Sequence, residues 1–197
     1  HWRTPPPLAA ALKAELPEIR DASRFYKVEG ILVDHSETRF KETIGFTDPE
    51  LFAIFTLPLA QGTRETALSS PQSAVISEST AGRYFGDEDP MGKTLVIDDS
   101  LSLQVSAVMR DMPSNSLLHC PILIPFVHLD AVTGAGDVED WGNFGYNTFV
   151  MLEDSVTKAQ VDGKLRDYFN VLWEDPDNDV VLSLQPLTGI HLYGLGG

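Results

Sequence analysis

The chain has 197 residues, of which 43% are hydrophobic and 22% are charged, and its formal net charge is −15. This composition is that of a globular protein and excludes global disorder. The negative charge argues against nucleic acid as a partner and against binding flat on an anionic membrane, because both require a basic surface. The only cysteine is Cys120, so the chain has no internal disulfide.

The N-terminal third predicts one helix, a pair of strands and a second helix. TPPPLAAALKAELPEI is typical of a helix that Thr4 caps and Pro17 ends. Residues 24–33 are rich in β-branched and aromatic side chains and predict a strand, with which residues 38–46 are expected to pair. TDPELFAIF then predicts a helix that Thr47 or Asp48 caps.

The middle of the chain predicts a strand, a helix and a hairpin. SAVISESTAGRYFG predicts a short strand and then a helix that Ser77 caps and Gly86 ends. Thr94–Ile97 and residues 101–109 flank a turn formed by Asp98, Asp99 and Ser100. Residues 101–109 alternate apolar and polar side chains. This alternation indicates an antiparallel hairpin with one buried face. PILIPF predicts a short strand that its prolines limit.

The C-terminal part predicts a strand over residues 148–152 and an amphipathic helix after it, with Thr157 and Gln160 as a capping box. Residues 179–187 predict a final strand. Helix and strand therefore alternate at both ends of the chain, around a β-rich middle. We expect an α+β fold in which a middle segment is inserted into an outer domain of βα units.

GDEDPMGKT, residues 86–94, ends like a phosphate-binding loop. That loop has four residues between its glycines, whereas five separate Gly86 from Gly92, and three of these five are acidic. The carboxylates would repel phosphate. A helix precedes this segment and a strand follows it, the reverse of the order in a phosphate loop. The sequence therefore predicts a structural turn here and no nucleotide site.

Other candidate sites are incomplete. Asp175, Asp177 and Asp179 have the spacing of the first calcium ligands, but the required glycine and glutamate are missing, which leaves at most weak calcium binding on a solvated loop. His119 and Cys120 are adjacent, so on a strand they would face opposite ways and not form a catalytic pair. Histidine spacing indicates no zinc site, and no G-x-S-x-G motif occurs.

Three aromatic side chains lie close together in a glycine-rich acidic connection. They are Trp141, Phe144 and Tyr146. Such a cluster forms either an exposed binding loop or an anchor between two parts of a domain, and the anchor is the more common role. We predict that these residues lie at an interface or joint.

Several segments together resemble the MacB-like periplasmic core domain of FtsX-like ABC transporter permeases, in the form found in Bacteroidetes. The resemblance covers nearly the whole chain, and its most specific part is the block from Ser79 to Leu95. The segments occur in the family's order: TPPPLAAALKAELPEI, GFTDPELFAIFTLPLAQGT, SAVISESTAGRYFGDEDPMGKTLVID, SAVMRDMPSNSLLHCPILIPF, WGNFGYNTFVMLEDSV and LTGIHLYG.

The resemblance implies a porter-like subdomain of βα units with an inserted, β-rich Sabre-like subdomain. Residues 1–45 and 140–197 would form the porter-like part, and residues 46–119 the Sabre-like part. Residues 120–139 are an unassigned connection between them. The family places this domain between two transmembrane helices. The absence of an initiator methionine and of an apolar span leads us to expect a piece of a longer protein.

The resemblance also implies a function: a non-catalytic domain on the periplasmic side of the bacterial inner membrane that transmits ATP-driven movement to a periplasmic cargo or partner. Expected partners are a cytoplasmic ATP-binding subunit, reached through the membrane helices, and a second permease copy or homologue. No cofactor, metal or catalytic residue is implied. Two alternatives stay open, a free-standing periplasmic small-molecule-binding protein and a hydrolase with a dispersed catalytic triad.

Overall fold

A computed structural model describes residues 3–134, 138–172 and 181–187 of the chain. Within these residues, strands and helices are mixed along the chain. The strands are β1 (Ile19–His35), β2 (Thr38–Thr47), β3 (Leu59–Gln61), β4 (Ser73–Ser77), β5 (Thr94–Ile97), β6 (Leu101–Met109), β7 (Ile122–Pro125) and β8 (Asn147–Leu152). The helices are α1 (Leu8–Glu15), α2 (Leu51–Ile54), α3 (Arg64–Ala67), α4 (Glu78–Phe85), α5 (Leu129–Thr133) and α6 (Lys158–Leu172), with a 3₁₀ turn at Phe126–His128.

One mixed sheet contains all of these strands. Its order is β2-β7-β4-β6-β5-β1-β8, β3 pairs with β6, and a further pairing of β1 with β2 closes six of the strands into a ring. The pairs β2–β7 and β4–β6 are parallel, and the others are antiparallel. Parallel pairs need long crossover connections, and here these contain α2, α3 and α4. The predicted α+β fold is confirmed.

Strand β1 is the longest element, with 17 residues. At about 3.4 Å per residue it spans roughly 55 Å. Its first part pairs with β8, where Ile19 lies opposite Leu152, and its last part pairs with β2. The register with β2 shifts between Val28 and Ile31, where Gly30 has a φ of 80°. This bulge bends the strand between its two halves.

Buried apolar side chains form three clusters. The first cluster covers one face of the ring together with α4 and α5, and the second covers the other face beneath α2 and α3. Strand β4 contributes to both, because Ala74 and Ile76 belong to the first cluster and Val75 to the second. The third cluster lies between α1, α6 and the β1–β8 pair.

The predicted helix, turn and strand around GDEDPMGKT are confirmed. The Ser77 side chain accepts a hydrogen bond from the Thr80 amide at the start of α4. Gly86 ends this helix with a φ of 60°, Gly92 turns the chain with a φ of 75°, and β5 begins at Thr94. Both glycines have a positive φ, which other residues rarely adopt. The segment is therefore a connection between two elements of the fold.

Two predicted helix caps are wrong. Helix α1 begins at Leu8 after Pro7, and the Thr4 backbone instead exchanges hydrogen bonds of 2.7 and 3.1 Å with Tyr146. Neither Thr47 nor Asp48 caps α2, because the Thr47 hydroxyl donates to the Arg24 carbonyl oxygen and the Asp48 carboxylate accepts hydrogen bonds from Arg24. In both cases a partner distant in the sequence binds the residue that local pattern assigns to a helix end.

The predicted final strand is wrong in its described part. Residues 181–186 form no strand, although the exposure of their side chains alternates. Leu182 and Leu184 pack against the third cluster, and the Leu184 amide donates to Asp162 in α6 at 2.7 Å. The aspartates at 175, 177 and 179, considered above for calcium, lie outside the described residues.

Strand pairing crosses the predicted subdomain boundaries. Strand β5, in the segment predicted as Sabre-like, pairs with β1, and β7, in the unassigned connection, pairs with both β2 and β4. The division into residues 1–45 with 140–197 and residues 46–119 stays a prediction.

Candidate functional site

The three predicted aromatic residues lie in different environments. Tyr146 is buried in the first cluster, with its ring centroid 5.0 Å from that of Tyr26 and 5.7 Å from that of Phe126. Trp141 is half-buried against the third cluster, and Phe144 is half-buried. The segment that contains them therefore runs from one apolar cluster to another. Their role at an interface or joint stays a prediction.

Helices α1 and α6 form one unit with the start of β1. Leu12 of α1 and Leu165 of α6 are both buried in the third cluster. Lys164 donates to Glu18, just before β1, at 2.5 Å. At the start of α6 the Thr157 amide donates to Gln160 Oε1 at 2.8 Å, as the capping-box pattern predicts. Both helices are therefore held against the same end of β1.

Strand β1 passes through all three clusters. Ile19 and Ala22 belong to the third cluster, Phe25 to the second and Val33 to the first. The rings of Phe25 and Phe149 are 6.4 Å apart, which ties β1 to β8 on the side of the second cluster. Strand β1 therefore links the three apolar clusters.

An ion pair that the sequence pattern does not reveal fixes the middle of β1. The Arg24 guanidinium donates to both carboxylate oxygens of Asp48, from Nε at 2.9 Å and from Nη2 at 2.7 Å, and its amide donates to the same carboxylate at 2.8 Å. Its guanidinium carbon lies 3.9 Å from the centre of the Phe126 ring. The bidentate geometry and the aromatic contact give this pair more strength than an ordinary surface pair.

A second polar contact holds α4 on the distal half of the β1–β2 ribbon. The Glu42 side chain is only 6% exposed and accepts a hydrogen bond from Arg83 at 2.6 Å. The Tyr84 hydroxyl lies 3.2 Å from Glu42 Oε1 and 3.2 Å from the Val33 carbonyl oxygen. Burial, together with the Glu42 charge, raises the pKa of Tyr84, so its hydroxyl stays protonated and donates.

A cleft of about 320 Å³ opens between the segment after α2 and the segment after β6. Its floor is apolar and consists of members of the second cluster or of side chains packed against that cluster. Its polar rim includes Arg110 and Asp111. The floor residues are Phe55, Leu57, Met112, Leu117, Leu118 and Leu187. Neither this cleft nor a more open one beside His35 and Lys93 includes the three predicted aromatic residues.

Candidate nucleophiles and metal ligands do not form a reactive group in the described part of the chain. Burial raises the pKa of the Cys120 thiol to about 12, so it stays protonated at neutral pH. His119 Nδ1 donates to the Met112 carbonyl oxygen in its own loop, at 3.1 Å. Residues 3–134, 138–172 and 181–187 contain no group of three or more metal-binding side chains, and none of their helices is long and apolar enough to cross a membrane.

The fold and these contacts define a mixed α/β domain in which α1 and α6 pack against the start of the long strand β1. Residues 2–168 match the family described as the MacB-like periplasmic core domain. The match covers most of the chain, so the chain belongs to this family. It is the periplasmic domain of a MacB-like, FtsX-like ABC transporter permease, on the periplasmic side of the inner membrane.

Solved structures share the fold. A domain of a putative permease from Porphyromonas gingivalis is 21% identical, with a TM-score of 0.73 over 98% of this chain and 87% of that one. The periplasmic region of MacB from Actinobacillus actinomycetemcomitans is 20% identical, with a TM-score of 0.66 over 90% of this chain and 78% of that one. The extracellular domain of the noncanonic ABC-type transporter YknZ, from Gram-positive bacteria, is 16% identical, with a TM-score of 0.60 over 90% of this chain and 87% of that one. No curated protein sequence matches the chain.

Proposed function

We propose that this domain transmits ATP-driven movement across the inner membrane to a periplasmic cargo or partner, and that it is not itself catalytic. A cytoplasmic ATP-binding subunit would generate the movement, and membrane helices would pass it to the domain. A second copy of the permease, or a homologue, would move against it. Membership of the family of MacB-like periplasmic core domains supports this proposal, because the resemblance to that family implies such a role.

The observation that carries the proposal is the course of β1. Helices α1 and α6 both pack on its first residues, and the strand then crosses all three apolar clusters. Inter-strand hydrogen bonds join β1 to its neighbours along its length, and close-packed interiors transmit strain. A movement applied at α1 and α6 would therefore displace the far end of the β1–β2 ribbon, beyond the bulge at Gly30. The proposed porter-like part contains α1, α6 and the far end of this ribbon and would receive the movement, and the Sabre-like part would be displaced through the pairing of its strand β5 with β1.

Spin labels in the complete permease, assembled with its ATPase in lipid nanodiscs, test this proposal. Glu37→Cys places one label at the turn of the ribbon, Cys120→Ser removes the buried thiol of this domain, and any cysteine elsewhere in the permease is replaced by serine. We expect the distance distribution between labels on two copies to shift when a non-hydrolysable ATP analogue binds. An unchanged distribution, with ATP binding intact, would contradict the proposal.

A decoupling variant makes the test specific to β1. Inserting two glycines after Gly30 lengthens the strand at its bulge, and the same insertion between Ser114 and Asn115, in an exposed loop, is the matched control. We expect the first insertion to reduce the ATP-dependent shift while ATP hydrolysis continues, and the control insertion to leave both unchanged. If the ATP-dependent shift in label distance keeps its full size when glycines are inserted after Gly30, then β1 does not transmit the movement.

A further inference from the structure

The cleft beside α2 exposes part of the apolar core to solvent. Leu57 and Leu118 are buried members of the second cluster, and Phe55, Met112 and Leu117 are half-buried against it. The cleft volume of about 320 Å³ is at the lower end of the range for small-molecule sites, about 300–1,000 Å³. An apolar floor of this size, with a few polar groups at its rim, is the usual form of a small-molecule site.

The charges at the rim do not cancel. Arg110 lies beside Glu78, with Nη1 3.5 Å from Oε1, so these two charges balance each other. Asp111 accepts hydrogen bonds from the Ser79 hydroxyl at 2.8 Å and the Ser79 amide at 3.1 Å, and both donors are uncharged. These hydrogen bonds lower the pKa of Asp111, so its carboxylate is ionised at neutral pH. The positive charge of Arg83 also acts on Asp111, but the Arg83 guanidinium pairs with Glu42 at 2.6 Å. One negative charge of this group therefore has no ion-pair partner, on a protein whose net charge is −15.

We propose that this cleft binds a small molecule that has an apolar body and a single positive charge. The apolar body would cover Phe55, Leu57 and Leu118, and the cationic group would lie at the Asp111 carboxylate. The site adjoins the proposed path of movement, because the Phe55 ring packs edge-on against Phe149 of β8, with centroids 4.9 Å apart. The binding proposal goes beyond the transmission role and does not depend on it.

Methionine methyl signals give a direct test on the chain itself. Met112 lines the cleft, whereas Met91 packs against the first cluster and is an internal control. The probes are decylamine, decanol and decanoate, which share a ten-carbon chain and carry a positive, zero or negative charge at neutral pH. With ¹³C-methyl methionine, we expect decylamine to shift the Met112 signal to saturation and leave Met91 in place. Decanol should bind about two- to fivefold more weakly, the ratio that an exposed ion pair supplies, and decanoate more weakly still.

Asp111→Asn tests the charged rim. An asparagine keeps an oxygen that can accept from Ser79 and removes the charge, and Asp87→Asn, at an exposed position after α4, gives the same change in net charge. We expect Asp111→Asn to reduce decylamine affinity to that of decanol, about two- to fivefold, and Asp87→Asn to leave it unchanged. Equal binding of the three probes, a static Met112 signal, or equal effects of the two variants would each overturn the proposal.

Discussion

Removing the Asp48 carboxylate is the most informative single change to the core of this domain. The Asp48 and Arg24 side chains are only 19% and 22% exposed, and Asp48 accepts three hydrogen bonds from Arg24. In Asp48→Ala the Arg24 guanidinium would remain partly buried without its partner. Breaking a fully buried pair costs about 3–5 kcal/mol, and partial exposure lowers that figure, so we expect a loss of about 2–3 kcal/mol.

Urea unfolding of the chain, followed by circular dichroism, measures this loss. The matched control is the exposed pair of Arg20 and Asp154, 3.4 Å apart with side chains 42% and 95% exposed, for which Asp154→Ala should cost less than about 0.5 kcal/mol. A double-mutant cycle with Arg24→Met, which keeps a long apolar side chain over Phe126, isolates the pairwise energy. If Asp48→Ala costs no more than Asp154→Ala, the ion pair does not stabilise β1 more than a surface pair would.

Four further changes test other parts of the structure. Tyr84→Phe removes the hydroxyl that links α4 to the β1–β2 ribbon and should lower the free energy of unfolding by about 1 kcal/mol in urea. Gly45→Ala would place a Cβ 2.7 Å from Leu123 Cδ2, and the crowding should lower the melting temperature through a loss of about 1–3 kcal/mol. Leu165→Ala opens a cavity in the third cluster and should cost about 2–5 kcal/mol in the same assay. Hydrogen bonding to Lys164 lowers the pKa of Glu18, so the stability that this pair contributes is present above pH 4.5, the ordinary pKa, and is lost as the pH falls. Lys164→Met should make this loss of stability smaller in an acid titration of unfolding.

Local pattern predicts elements whose determinants lie close together in the chain. The hairpin of β5 and β6 follows from the alternation in residues 101–109 and from the turn, where Asp98 and Asp99 both have a positive φ. The helix from Glu78 to Phe85 likewise follows from a serine cap and a terminal glycine. In each case the hydrogen bonds that define the element join residues only a few positions apart.

Features that depend on distant partners are missing from the sequence prediction. Strand β1 begins at Ile19, five residues before its predicted start, because β8 pairs with residues 19–25 from the other end of the chain. The ion pair of Arg24 with Asp48 joins residues 24 positions apart, and no spacing rule connects them. The closure of the ring rests on the parallel pairs β2–β7 and β4–β6, whose strands are separated by other elements.

The error at residues 181–186 shows why alternation alone does not make a strand. Leu182 and Leu184 alternate with exposed neighbours, as in a half-buried strand, but they pack on the third cluster while the Leu184 amide donates to the Asp162 side chain in α6. A side chain thus replaces the backbone partner that a neighbouring strand would supply. The same contact holds this segment against α6, the helix that packs against the start of β1. A displacement of α6 in the proposed mechanism would therefore also carry the segment that leads to Leu187, at the edge of the cleft.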